Sequence, residues 1–219
     1  MELLEGIESR RSTRGFTGQA VTQETIRKIL HAANRSPSFT NSQPWEVAVV
    51  VGSQRDELSK ILYDLAASGT PSSAEMPYPK SWPEAIAART KTHGARRFEA
   101  LGVARDDSLR REEIRLANFK FFNAPCALFF FMDKSLGDWS TMDMGIFIQT
   151  LSLAAHGLGL GTCMQASLSN YPQSVRTFLN IPENMKLMVG MSLGYPDESA
   201  ALNSYKSARE DVDSFTRWY

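Results

Sequence analysis

The chain has 219 residues, 42% of them hydrophobic, and its 24 Lys and Arg are offset by 24 Asp and Glu. That is enough apolar sequence for a sizeable core, which excludes a disordered or fibrous protein. A formal net charge of zero also removes the long-range pull toward nucleic acid or an anionic membrane, so any anion has to be caught locally.

Leu3, Leu4 and Ile7 share a helical face, so a short helix is expected to end just before Arg10. The segment "MELLEGIESRRS" is acidic and amphipathic and lacks the basic start, apolar run and small-residue cleavage site of a signal peptide, so no export is expected. Thr22 can cap a second helix, whose Ile26, Ile29, Leu30 and Ala33 follow the i, i+3, i+4, i+7 rule. Pro37 marks its end.

"WEVAVVV", Trp45 to Val51, is rich in β-branched residues and suits a buried strand. A helix from Ser53 follows, with Leu58, Ile61, Leu62 and Leu65 inward. "SGTPSSAEMPYPKSW", 68–82, carries three prolines and reads as a long loop, functional or mobile. Charged helical segments are expected from about Pro83 to Leu101 and from Asp107 to Phe122, broken at Gly102. Weakly buried helices after such a loop suit a lid.

"CALFFFM", 126–132, is a second core strand. The helix from Trp139 to His156 is apolar nearly all round, which calls for burial on several sides, by the core and by a partner subunit, and Gly157 should end it. Polar residues and a glycine-rich end argue against a membrane span there. A short strand from Gly161 to Gln165, a helix opened by Pro172 and a long strand from Lys186 to Leu193 complete the pattern. Strands and helices alternate irregularly without repeats or a linker, so one α+β domain over 1–219 is expected.

Cys126 and Cys163 form no CxxC pair, and reduced thiols in a cytoplasmic protein account for them. His31, His93 and His156 are isolated, and no HExxH, GxSxG or P-loop is present, so neither a metal site nor a nucleophile is assigned. "GLGLG", 157–161, follows a helix instead of opening one and reads as a helix end, not a dinucleotide fingerprint.

"RRSTR", 10–14, combines guanidinium forks with a hydroxyl and could hold a phosphomonoester, although its spacing alone equally describes a solvated basic turn. In "SPSFTNSQPW", 36–45, Asn41 and Gln43 could read the polar edge of a planar heterocycle, or simply make a helix-to-strand connection.

Together with "GLGTCMQAS", 159–167, and the tail elements "LGYP" (193–196), Asn203 and Arg209, these segments resemble, in order and over nearly the whole chain, the nitroreductase family of FMN-dependent oxidoreductases. The resemblance implies a nitroreductase-like α+β fold with a mainly antiparallel central sheet flanked by helices. It further implies a homodimer with FMN at the subunit interface.

Carried onto this sequence, Arg10, Arg11, Ser12 and Arg14 match the N-terminal flavin-binding element, with Arg14 a candidate for tuning the flavin near N1/O2. Arg209 is similar to the second phosphate arginine. Pro37, Ser38 and Asn41 match the segment that reaches the flavin of the other subunit. Gln165 and Ala166 fall where backbone groups face the flavin, including an amide near N5. The region from about 68 to 111 matches the variable lid.

The resemblance implies ping-pong turnover, in which NADH or NADPH reduces FMN and a nitroaromatic or quinone then takes the electrons. Phe119, Phe121, Phe122 and Trp82 lie in or near the variable region and could line the acceptor pocket, with ordinary core or lid packing the preferred reading for each. Two other activities remain open at this point: reductive dehalogenation of iodotyrosine on the same fold, whose acidic and basic lid pattern has no clear match in 76–97, and a flavin-binding module without turnover. No nucleic-acid or membrane partner is expected.

Overall fold

In the computed structural model, which describes residues 2–219, seven α-helices surround a four-stranded sheet. In chain order the elements are α1 (Leu3–Ser9), α2 (Gln23–Ala33), β1 (Glu46–Val51), α3 (Gly52–Ala67), α4 (Glu84–Ala100) and α5 (Ser108–Leu116). They continue with β2 (Cys126–Asp133), α6 (Asp138–Gly157), β3 (Gly161–Gln165), α7 (Pro172–Leu179) and β4 (Met185–Gly194). The strand order is β1-β2-β4-β3, and every neighbouring pair is antiparallel.

β2 explains the two-sided core. Side chains alternate across a strand, and here Cys126, Leu128, Phe130 and Met132 pack with α2 and α6, while Ala127, Phe129 and Phe131 pack with α3 and α7. With both faces covered, the strand reads as a continuous apolar run. Thr22 caps α2 by accepting a hydrogen bond from the Thr25 amide at 3.1 Å.

Two local expectations need correction. β1 pairs on one side only and forms an edge, leaving Val49 and Val51 exposed; a β-branched run does not distinguish an edge strand from a buried one. The helix α5 stops at Leu116, the chain continues in tighter i→i+3 turns, and the left-handed backbone angles of Phe121, Phe122 and Asn123 keep an α-helix from reaching Phe122. Phe119, Phe121 and Phe122 are all buried in the core, the ordinary packing preferred for each. As expected, α6 ends at Gly157, and Gly159 (φ 75°) makes the left-handed turn that follows.

The loop 68–82 is stapled to the body. Glu75 receives hydrogen bonds from the buried Arg176 (2.6 Å) and the Leu187 amide (2.8 Å), and the Tyr171 hydroxyl donates to the Thr70 carbonyl (3.1 Å). By contrast α4 contains no buried residue.

Candidate functional site

The arginine segment lies along the free edge of β3 as an extended strap. The Thr13 amide donates to the Thr162 carbonyl at 2.9 Å, within a parallel bridge between Ser12 and Thr162. Gly161 allows this approach, since a Cβ there would overlap the Thr13 side chain. On its other side the strap meets the chain leaving β4, through Thr17 N–H to Tyr195 O (2.9 Å) and Asp197 N–H to Gly15 O (3.0 Å).

Asn203 locks the arrangement. It is buried, accepts from the Arg14 amide at 2.6 Å, and donates to the carbonyls of Gly15 and Asp197, each at 2.8 Å.

So held, Arg10, Arg11, Ser12 and Arg14 line a recess of about 50 Å³ whose opposite wall is Arg209 with His93 and Tyr205. The recess opens into a cleft of about 860 Å³, where Arg10, Arg11 and Arg209 meet Lys206, Gln149 and His156. The structure therefore brings Arg10, Arg11, Ser12, Arg14 and Arg209 together.

The other expected residues lie differently. Gln165 is buried, and its amide is engaged internally, donating to the Asn118 carbonyl at 3.0 Å and accepting from the Ser192 hydroxyl. Only its backbone is left for a ligand, while Ala166 is exposed. Pro37, Ser38 and Asn41 line neither the recess nor the cleft. They sit on a separate turn fixed to α6, where both oxygens of the buried Asp143 accept from the Phe39 amide at 3.1 Å and Phe39 stacks on Trp139.

Sequence reasoning missed Arg97 and His93. They stand four residues apart on α4, hence on one helical face, and that spacing within a charged helix was the signal that could have found them.

Positive charge in the recess is poorly compensated. Burial, and then Arg209, holds the Arg10 pKa below its ordinary value. Burial and Arg14 do the same to Arg97. His93 is depressed by burial and by Arg14, Arg97 and Arg209, and His156 by burial and by Arg10 and Arg11.

Among the described residues Glu8 and Glu198 are the acids that line the cleft, and Glu198 is paired with Arg11. Arg10 Nε and Arg97 Nη2 are buried without a hydrogen-bond partner. Unpaired buried N–H groups are costly in a folded protein, and the one on Arg10, which lines the recess among other cations, suits a receptor for an anion. No three His, Cys, Asp or Glu side chains among the described residues are placed to hold a metal ion.

Fold and site together define an α+β protein with a cationic recess against the edge strand of an antiparallel sheet. The chain belongs to the nitroreductase family, whose model matches residues 7–195. It is similar to the nitrobenzene nitroreductase of Ectopseudomonas oleovorans, with 37% identity covering 96% of this chain and 93% of that protein.

Among solved structures it resembles the FMN-dependent nitroreductase NfnB from Mycobacterium smegmatis in complex with NADPH. The TM-score is 0.94 and the identity 34%, over 99% of this chain and 97% of that one. The FMN- and NADPH-dependent NfnB from sphigopyxis sp. strain HMH aligns with a TM-score of 0.95 and 28% identity, over 100% of this chain and 99% of that one.

Proposed function

We propose that the protein is an FMN-dependent oxidoreductase that uses NAD(P)H to reduce nitroaromatic compounds, with quinones as a second acceptor class. The observation that carries this reading is the recess itself, a concave, cationic surface lined by Arg10, whose buried Nε has no partner. A phosphorylated flavin supplies the missing acceptors. Its ring would bring the redox capacity that the side chains lack. Family membership and the activities named for its relatives support the same reading.

In this reading Arg10, Arg209 and the Ser12 hydroxyl hold the FMN phosphate, with Arg11 beside them. Guanidinium forks match phosphate oxygens bidentately. Arg14, with Arg97 close by, would supply positive charge to the ring's pyrimidine edge and so help tune its potential. The backbone at Gln165 and Ala166 offers hydrogen bonds toward N5. Orientation of the ring for transfer at contact distance is the chain's main catalytic contribution.

Pro37, Ser38 and Asn41 act on the flavin of a second copy, in a homodimer formed through the exposed Leu3, Leu4, Ile7, Trp139 and Met142. Large exposed apolar side chains of this kind mark interaction surfaces. The segment 68–111, within one domain of 1–219, covers the pocket with α4 and α5, and reductant and acceptor use that pocket in turn.

Among the described residues no helix is long and apolar enough to cross a membrane. Cys126 and Cys163 are both free thiols, which favours a reducing, cytoplasmic setting.

The test is optical. Purified protein should be yellow, bleach under anaerobic NADPH or NADH, and recover its colour on addition of nitrobenzene. A colourless protein that FMN cannot reconstitute contradicts the proposal, and so does bound flavin that neither nucleotide reduces.

A further inference from the structure

A second cleft, of about 630 Å³, runs between α4 and the C-terminal segment and shares His93, Tyr205, Ser207 and Arg209 with the arginine recess. Arg89 and Arg96 also line it. With His93 they follow the i, i+4, i+7 spacing that places side chains on one helical face. The His93 ring packs edge-on against Tyr205, and its Nδ1 lies 3.1 Å from the Tyr205 hydroxyl.

The charge of this cleft comes from its arginines. Burial and the surrounding Arg14, Arg97 and Arg209 favour neutral His93. Glu210 is the carboxylate on the wall, and it stands 3.8 Å from Arg89 between two half-exposed side chains. A pair so loose and wet contributes little and yields readily to a better anion. Arg96 makes no ion pair among the described residues. Arg89 and Arg96 are two turns apart, about 10 Å along the helix axis, so two long side chains can converge on one group between them.

A cationic pocket joined to the recess through Arg209, and adding Arg89 and Arg96 that the recess lacks, suits a second anionic group on a molecule that enters the same recess. NADPH and NADH differ by one phosphomonoester on the adenosine ribose, which is the ligand a pair of guanidinium groups recognises best. We propose that Arg89 and Arg96 bind the 2′-phosphate of the reductant and make NADPH the preferred nucleotide. This inference rests on the FMN and NAD(P)H reading of the proposed function.

The test uses FMN-loaded protein and the double variant Arg89→Gln/Arg96→Gln. Calorimetry compares adenosine 2′,5′-bisphosphate with 5′-AMP, and stopped-flow mixing compares reduction by NADPH and NADH. Wild type is expected to bind the bisphosphate at least about tenfold more tightly than AMP, each charge-assisted contact being worth about tenfold or more.

The variant should lose that advantage. Its Kd for NADPH should rise about tenfold or more, with NADH reduction, FMN content and reoxidation by nitrobenzene unchanged. An unchanged preference in the variant, or an equal loss for both nucleotides, overturns the inference. A loss confined to 4-nitrobenzoate relative to nitrobenzene also overturns it and assigns the arginines to an acceptor carboxylate. Failure to take up FMN would defeat the proposed function instead, and the calorimetric comparison would still judge the arginine pair.

Discussion

Asn203 contributes one side chain to three backbone groups, the Arg14 amide and the carbonyls of Gly15 and Asp197, and so couples strap geometry to the tail. Asn203→Ala leaves buried partners unmade and is expected to cost about 1–3 kcal/mol in urea unfolding. It should also weaken FMN binding, since Arg14 loses its anchor. Arg10 behaves in the opposite way, because its buried Nε has no partner and its charge faces Arg209. Arg10→Ala should weaken FMN by about 1.5–3 kcal/mol, the usual contribution of a charged hydrogen bond. The FMN-free protein should melt no lower than wild type, because an uncompensated cation has been removed. A fall in FMN-free Tm accompanied by unchanged FMN affinity would assign Arg10 a purely structural role.

Among the elements, α1 and α6 carry apolar side chains that their own chain does not cover. Leu3, Leu4, Trp139 and Met142 are all more than half exposed. Light scattering at micromolar concentration is expected to report a dimer, and Leu4→Asp with Met142→Asp should shift it to monomer without loss of helical signal. The loop before α4 depends on Glu75. Burial opposes its charge, but the Leu187 amide, Arg176 and Lys134 outweigh burial and hold its pKa below the ordinary 4.5. A carboxylate depressed in the folded state stabilises above its unfolded pKa, and the contribution is lost as pH falls through the folded one. Glu75→Gln should therefore be less stable than wild type at pH 7, with the gap closing below about pH 4.5. A gap that is constant in acid denaturation would assign the effect to lost packing.

For the whole molecule, local patterns were legible and long-range ones were not. The Thr22 cap, the alternation in β2 and the order of elements follow from neighbouring residues, so they could be read directly. The edge position of β1 depends on which strands pair, and nothing within "EVAVVV" carries that information. Half of the site was visible as "RRSTR" and Arg209. His93 and Arg97 join it only because α4 brings them near Arg14, Arg209 and Cys163, residues far from it in the chain. Pro37, Ser38 and Asn41 remain apart from the recess within one chain.

The central claim is that the arginine recess is a phosphate site for a flavin, and titrating FMN-free protein with FMN and with riboflavin tests it most directly. Riboflavin presents the same ring without the phosphate. Wild type is expected to bind FMN at least about a hundredfold more tightly than riboflavin, as two or more charge-assisted contacts require, and Arg10→Ala should erase most of that difference. Equal affinity for the two flavins, or a preference for FMN that Arg10→Ala leaves intact, would contradict the account.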